Sequence, residues 1–179
     1  MIPTRIKCTN DMILIDAIYI CQTGGKNLLD LLIDEFERES SKEQIIFLID
    51  NRIKEFYFER KFKQIKVEFL KGNELTRYHY YLRNKNMYRK ILCFANVPPP
   101  IRLHCVVMTY FQNVLLLDRD LQKFFSLKKR LLLRLKGYII KSRRNKTDYW
   151  IVQTKHVNEL LEKYLNPNVD QIKILPFFS

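Results

Sequence analysis

Amide, hydroxyl and glycine residues recur just after the apolar segments of this sequence, and they are the residue types best suited to hold a polar ligand. Amide and hydroxyl groups both donate and accept hydrogen bonds, which suits a polyhydroxyl or phosphate-bearing ligand. The same residue types also form ordinary turns, so the pattern leaves both interpretations open. The candidate ligand-binding residues are Gly24, Gly25, Lys26, Asn96, Gln112, Asn113, Gln153 and Thr154.

The Gly24-Gly25 pair precedes a segment with helical spacing of apolar residues, at 27–38. We expect a glycine turn that opens a helix, where backbone without Cβ atoms lets a ligand approach closely. The helix N-terminus would present N–H groups to a phosphate, and Lys26 would add a cation. The pair matches neither the G-x-G-x-x-G fingerprint nor a Walker P-loop, so a bound dinucleotide or nucleoside triphosphate is not predicted.

Signatures of protein-based catalysis and of metal binding are weak in this sequence. The acidic residues between Asp30 and Glu39 share one helical segment and indicate a solvated face. The sequence contains no G-x-S-x-G elbow and no Cys–His nucleophile spacing. Asp16 interrupts an apolar strand, where an unpaired charge is costly, so we expect it to have partners or to lie near an edge. The sequence therefore assigns no catalytic residue.

The four cysteines, at positions 8, 21, 93 and 105, are scattered and never form a C-x-x-C motif. This spacing favours buried thiols in a reducing compartment over a disulfide framework. His104 beside Cys105 has no ligand spacing, so no metal site is predicted.

Apolar segments alternate with helical segments along the whole chain. This alternation predicts one α/β domain, a Rossmann-like doubly wound and largely parallel sheet with helices on both faces. The carboxyl ends of its strands would bring the candidate residues together. The predicted strands are 12–20, 44–49, 65–70, 90–95, 105–111, 149–152 and 172–175. The predicted helices are 27–38, 74–82, 120–145 and 155–165, with a short helix or irregular segment at 54–63.

Composition excludes several protein classes. The chain has 179 residues, of which 47% are hydrophobic, enough for a core and too many for a disordered protein. It contains no run of about 18 apolar residues, so no membrane span is predicted, and a signal peptide is not indicated. Residues 1–50 contain five basic and nine acidic side chains, whereas residues 51–179 contain 27 and 10. The net charge of +13 therefore indicates a polyanionic partner without selecting one.

Segment 121–146 contains ten basic residues and no acidic residue. Its apolar residues include Leu131, Leu132, Leu135 and Tyr138, so it is typical of a basic amphipathic helix. One interpretation is docking on an anionic membrane surface. A second is an outer helix whose apolar stripe packs on the sheet. The residues assigned to the membrane surface are Lys128, Lys129, Arg130 and Arg134.

A nucleic-acid-binding or interaction module is the alternative function. It would combine the 121–146 helix with the aromatic segments 56–62 and 78–81. No helix-turn-helix, RNP or zinc-finger signature supports it, so nucleic acid is the less favoured partner.

Five segments carry a family resemblance: IDAIYICQTGGKNLLDLLI, CFANVPPP, VVMTYFQNVLLL, DYWIVQTKHVNELLEKYL and IKILPFF. In this order they resemble the N-terminal, acceptor-side domain of family 4 glycosyltransferases of the two-domain GT-B fold, particularly those of bacterial polysaccharide synthesis. Many members of this family carry His-Asn where this chain has Gln112-Asn113. Glutamine cannot act as a general acid or base, so Gln112 is only a candidate for a catalytic role.

The resemblance implies a retaining enzyme that transfers a sugar from a nucleotide-diphosphate sugar to a polysaccharide or lipid-linked acceptor. Gly24-Gly25 would border the donor pyrophosphate, and Asn96, Gln112, Asn113, Gln153 and Thr154 would line an interdomain cleft. The nucleotide-sugar domain of the family has no counterpart in residues 1–179, so we expect no activity from this chain alone and no stably bound cofactor. A separate donor-binding half would be its partner. The expected location is the cytoplasm, peripherally on the inner face of the membrane.

Overall fold

The computed structural model describes residues 11–21, 23–39, 43–167 and 171–175. Cys8 and Gln22 lie outside the described residues. Seven parallel strands form one sheet in the order β3-β2-β1-β4-β5-β6-β7. The strands are β1 Met12–Ala17, β2 Gln44–Asp50, β3 Ile65–Leu70, β4 Tyr88–Cys93, β5 Val106–Phe111, β6 Tyr149–Val152 and β7 Ile172–Ile174. The predicted doubly wound α/β fold is confirmed.

Five α-helices and three short 3₁₀ helices connect the strands in the described part of the chain. The α-helices are α1 Thr23–Arg38, α2 Glu74–Asn84, α3 Arg119–Gln122, α4 Leu127–Ser142 and α5 Lys155–Leu165. The 3₁₀ helices are Asn51–Tyr57, Val114–Leu116 and Arg144–Lys146. The chain order reverses between β1 and β4, which is the switch point of a doubly wound sheet.

Alternate residues of the strands bury opposite faces of the sheet. On one face Ile15 and Phe47 pack with Leu29 of α1. On the other face Leu14 packs with Tyr81 of α2, and the helices α4 and α5 join Phe111 and Trp150 in a third buried cluster. Both faces of the sheet therefore carry helices, as the sequence predicts.

Several predicted boundaries differ from the structure, and those around β1, α1 and the 120–145 segment affect the site. Strand β1 ends at Ala17 rather than at 20, and α1 begins at Thr23, so the glycine pair lies in its first turn rather than in a preceding turn. The predicted helix 120–145 is two helices, because Asp118 caps α3 and Ser126 caps α4. The Ser126 hydroxyl accepts from the Lys129 N–H at 3.5 Å, which starts a new helix at Leu127.

Helix α4 packs inward through Leu133, Gly137 and Ile140, so the interpretation in which the stripe that includes Leu131 and Leu135 packs on the sheet is wrong. A Cβ atom at position 137 would lie 2.9 Å from both the Leu116 carbonyl oxygen and the Tyr164 hydroxyl. Glycine at this position lets the helix approach its neighbours closely. The leucines of the predicted stripe, such as Leu131, are exposed instead.

A buried ion pair joins three elements at the centre of the sheet. Asp16 of β1 accepts from Arg77 Nε of α2 at 2.8 Å and from the Tyr81 hydroxyl at 2.7 Å. Arg77 also donates to the carbonyl oxygens of Val97 and Pro98, both at 2.9 Å. Burial opposes the charge of Arg77, but the Asp16 carboxylate raises the pKa of that guanidinium well above its usual range. The partners expected for Asp16 are therefore present, and they hold the segment after β4 in place.

We predict that Arg77→Met lowers the free energy of unfolding by about 3–5 kcal/mol, because it leaves the Asp16 carboxylate buried without its cation. Arg83→Met, at an exposed position of the same helix, is the control and should cost less than about 0.5 kcal/mol. Urea denaturation followed by circular dichroism measures both. The double variant Asp16→Asn/Arg77→Met should be more stable than Arg77→Met alone; equal losses at Arg77 and Arg83 would contradict the assignment.

Candidate functional site

A cleft of about 820 Å³ opens at the carboxyl ends of β1, β4 and β5, where the sheet order reverses. Ligands of open α/β sheets bind at this position. Four of the candidate residues from the sequence line it: Gly25, Asn96, Gln112 and Asn113. Helix α4 also lines the cleft, with Lys136 among its residues there.

Asn96 fixes the two loops that follow β4 and β5. Its backbone has a φ of 67°, in the left-handed region that asparagine tolerates better than most residues. Its side-chain oxygen accepts from the N–H groups of Gln112 and Asn113, at 2.7 and 2.9 Å. The Asn113 side chain in turn caps the 3₁₀ helix that begins at Val114. The side chain of Gln112 lines the cleft.

The two glycines of the pair have different surroundings. A Cβ atom at Gly25 would lie 3.3 Å from Ile20 Cγ2 and 4.0 Å from Gln112 Nε2, whereas one at Gly24 would meet nothing within 4 Å. Gly25 therefore brings the first turn of α1 close to Gln112 at the cleft. Because α1 is 16 residues long, its N-terminal N–H groups give this edge a positive dipole end.

Three other candidate residues have contacts outside the cleft lining. Lys26 forms an ion pair with Asp30 at 2.6 Å and lies 4.8 Å from the ring centre of Phe56. Thr154 caps α5 by accepting from the Val157 N–H at 3.3 Å. Gln153 forms a hydrogen bond with the Tyr110 hydroxyl. Burial raises the pKa of Tyr110 to about 12, although the hydrogen bond from Gln153 acts to lower it.

A chain of polar contacts that sequence reasoning missed lies at the wall of the cleft. The Tyr19 hydroxyl donates to Glu74 Oε1 at 2.7 Å, and Arg143 donates to Glu74 Oε2 at 2.6 Å. Tyr19 has a φ of 83°, and the Arg77 guanidinium lies 5.6 Å from its ring centre. Burial and the hydrogen bond to Glu74 raise the pKa of Tyr19, so the hydroxyl stays protonated and donates. Residues far apart in sequence meet here, which no local pattern signals.

A second cluster surrounds the buried carboxylate of Asp50, at the end of β2; the sequence places Asp50 and Gly72 at the ends of strands but does not reveal their contact. Asp50 accepts from the Tyr19 N–H at 3.2 Å and from Arg52 Nη2 at 2.7 Å. A Cβ atom at Gly72 would overlap with Asp50 Oδ2, so only glycine fits at the end of the neighbouring strand β3. Arg52, which is half exposed, thereby reaches the cleft from the Asp50 side.

The cleft is suited to binding anions and hydroxyls rather than to acid–base catalysis. Glu74 is the only carboxylate among the described lining residues, and no histidine is among them. Burial opposes its ionisation, but hydrogen bonds from Arg143 and Tyr19 hold the pKa of Glu74 below its usual range. Within the described residues no group of three histidine, cysteine, aspartate or glutamate side chains could hold a metal ion.

The basic residues of α4 form an exposed face. Lys128, Lys129 and Arg134 are exposed and Arg130 is half-buried. Phe124, in the preceding loop, is 86% exposed. No helix in the described ranges is long and apolar enough to cross a bilayer. Of the aromatic segments in the nucleic-acid alternative, 56–62 packs through Tyr57 on the face of the sheet that carries α1, whereas 78–81 belongs to α2 on the opposite face.

No protein-family model and no curated protein matches this chain. Among solved structures, a variant of the wall teichoic acid polymerase TagF is similar, with a TM-score of 0.53 and 9% sequence identity. The match covers 96% of this chain, which spans only 39% of that protein. Because TagF is a GT-B glycosyltransferase, the likeness shows that this chain has a GT-B-like Rossmann fold.

We predict that stability decreases below about pH 4, because the pKa values of Asp50 and Glu74 are lowered in the folded chain. Burial opposes the ionisation of Asp50, but hydrogen bonds from Arg52 outweigh it. Such a carboxyl stabilises the fold above its unfolded pKa, ordinarily 3.8 for Asp and 4.5 for Glu. That contribution is lost as the pH falls through the folded pKa.

Urea denaturation between pH 7 and pH 3 measures this effect. Asp50→Asn should flatten the pH dependence and lower stability at pH 7, whereas Glu59→Gln, an equal charge change at an exposed residue, should do neither. An unchanged pH profile in Asp50→Asn would contradict the role of this carboxylate.

Proposed function

We propose that this chain is the acceptor-side domain of a retaining GT-B glycosyltransferase of the family 4 type. It would transfer a sugar from a nucleotide-diphosphate sugar to a bacterial polysaccharide or lipid-linked acceptor. The observation that carries the proposal is the cleft at the sheet reversal, bordered by the first turn of α1 and by the loops that Asn96 fixes. The likeness to TagF, a polymerase of wall teichoic acid, supports the same class.

The cleft residues suggest a division of roles in this proposal. The N-terminus of α1 and the Arg52 guanidinium face the diphosphate of the donor, whose negative charge grows as the bond to the anomeric carbon breaks. Gln112 hydrogen-bonds a sugar hydroxyl. Glu74 is held in place by its ion pair with Arg143, and its carboxylate provides a fixed hydrogen-bond acceptor in the cleft. We infer that the proton of the attacking hydroxyl leaves with the diphosphate, since the described lining offers no unpaired base.

A second domain that binds the nucleotide sugar would complete the cleft. Transfer requires donor and acceptor to be held in one geometry, and this requirement contributes much of the rate of group transfer. In this proposal residues 1–179 alone bind ligand without turnover, and the donor-side domain restores transfer.

The proposal gives different roles to four of the candidate residues: Asn96, Asn113, Gln153 and Thr154. Asn96 shapes the cleft through its bonds to Gln112 and Asn113. Gln153 and Thr154 act from the end of β6, outside the described cleft lining.

The proposal predicts different effects of leucine at the two adjacent glycines. Gly25→Leu places a side chain against Ile20 and Gln112 at the cleft, so we expect at least about tenfold weaker binding of saccharide ligands. Gly24→Leu, with open space around it, is the matched control and should bind like the parent chain. Saturation-transfer NMR with nucleotide-diphosphate sugars and lipid-linked saccharides provides the measurement. Equal binding by both variants would place the ligand elsewhere.

The exposed face of α4 supports docking on an anionic membrane within the same proposal. Its basic residues are interleaved with exposed apolar ones, including Leu131 and Leu135. Each lysine or arginine near an anionic leaflet contributes about 1 kcal/mol. Docking of this face would place the cleft, whose wall is the same helix, near a lipid-linked acceptor.

Glutamine at positions 128, 129, 130 and 134 should therefore weaken binding to phosphatidylglycerol vesicles by at least about a hundredfold, with the fold intact. Glutamine at the exposed residues Lys61, Lys63, Lys71 and Lys85 removes the same charge and is the control. Vesicle co-sedimentation measures both. Equal effects of the two variants would reject docking through α4, and tight, salt-sensitive retention of DNA or RNA would favour the nucleic-acid alternative.

A further inference from the structure

A second cavity, of about 470 Å³, lies between α3, α4 and α5. Six of its lining residues have polar groups: Arg119, Gln122, Arg134, Tyr138, Lys141 and Tyr164. Among the described residues, only Leu116 lines both this cavity and the cleft. We call the cavity the α3–α5 pocket; of its lining residues, the proposed function uses only Arg134, in membrane docking.

The α3–α5 pocket is positively charged. Arg119, Arg134 and Lys141 line it, and none of its described lining residues is acidic. Within the described parts of the chain none of these three cations forms an ion pair with a carboxylate. Three cations around one concavity repel each other, so a bound anion would relieve an unfavourable arrangement.

Tyr164 gives the pocket an ordered aromatic wall. The Arg119 guanidinium lies 6.0 Å and Lys141 Nζ 5.4 Å from its ring centre. The absence of a side chain at Gly137 makes room for its hydroxyl. Tyr138 adds a second ring, which is largely exposed. The flat faces of such rings pack against C–H groups, and their hydroxyls form hydrogen bonds with polar atoms.

Gln122 supplies an unused hydrogen-bond acceptor. The residue is 2% exposed, and its Nε2 donates to the Leu115 carbonyl oxygen at 2.9 Å. Its Oε1 is buried and accepts from no described group. A buried amide oxygen without a donor costs free energy, so a hydroxyl donated by a ligand would be favourable here.

From these observations we infer that the α3–α5 pocket binds a phosphate ester that carries hydroxyl groups. Arg119, Arg134 and Lys141 neutralise the phosphate, and Gln122 Oε1 accepts from a ligand hydroxyl. Tyr164 packs against the carbon chain of the ligand. Both a soluble polyol phosphate and the headgroup of an anionic phospholipid have this chemistry. The inference goes beyond the function proposed for the cleft and does not depend on it.

Calorimetric titration of the full chain with sn-glycerol 3-phosphate, inorganic phosphate and glycerol tests the inference. We expect glycerol 3-phosphate to bind more tightly than phosphate, and glycerol not to bind. Arg119→Gln/Lys141→Gln should weaken binding at least about tenfold. Lys61→Gln/Lys63→Gln, at two exposed positions, removes the same charge outside the pocket and should leave the binding of glycerol 3-phosphate unchanged. No binding of glycerol 3-phosphate, or equal loss in both double variants, would overturn the inference.

Gln122→Met tests the hydroxyl contact separately. It keeps the length of the side chain and removes the acceptor, so we expect the preference for glycerol 3-phosphate over inorganic phosphate to disappear while phosphate binding persists. A preference unchanged in this variant would overturn the role of Gln122.

Vesicles of phosphatidylglycerol distinguish the two sources of the ester. If the headgroup occupies the pocket, Arg119→Gln/Lys141→Gln loses more vesicle binding than the Lys61/Lys63 control, and glycerol 3-phosphate competes. If a soluble ester is the ligand, both double variants bind vesicles equally while the calorimetric difference remains.

Chemical acetylation of the unaltered chain tests the pocket without relying on variants that must fold. Glycerol 3-phosphate at saturation should slow acetylation of Lys141 several-fold while leaving that of Lys128 unchanged, as read by mass spectrometry. Equal rates at Lys141 with and without the ester would overturn the inference.

Discussion

The buried ion pair between Asp16 and Arg77 is the constraint on which the cleft depends. Burying two charges costs free energy that is offset only when their remaining hydrogen bonds are satisfied. Arg77 satisfies them with the carbonyl oxygens of Val97 and Pro98, in the segment that follows β4. The position of that segment sets Asn96, whose side chain then orients the loop after β5. The Asp16–Arg77 pair therefore contributes more by positioning the segment after β4 than by adding to the net stability of the fold.

Apolar periodicity was sufficient to predict the sheet, because strands buried on both faces have continuous apolar segments and parallel strands place their carboxyl ends at one edge. That logic also led to Gly25, Asn96 and Gln112, which line the cleft. It could not separate them from Lys26 and Thr154, which are not among the described residues that line the cleft. Lys26 pairs with Asp30 one turn later, and Thr154 caps the helix that follows it.

The features that sequence reasoning missed depend on contacts between distant segments. Asp50 and Gly72 end neighbouring strands, and their contact exists only because β2 and β3 pair in this register. Tyr19 and Glu74 meet across the cleft for the same topological reason. The register of α4 was missed because Gly137, the residue with no side chain, decides which face packs inward. A prediction from hydrophobic spacing alone depends on the positions of the leucines and takes no account of such a glycine.

Helix α4 links the cleft to the outer surface of the domain. Its inward contacts use few positions, such as Leu133 and Ile140, and leave leucines exposed among basic residues. Contiguous exposed apolar surface is uncommon on proteins that act without a partner surface. The same helix lines the cleft, so any surface that covers its outer face also fixes the orientation of the cleft. Under the proposed function, substrate delivery and membrane docking are therefore coupled through one rigid element rather than through a flexible loop.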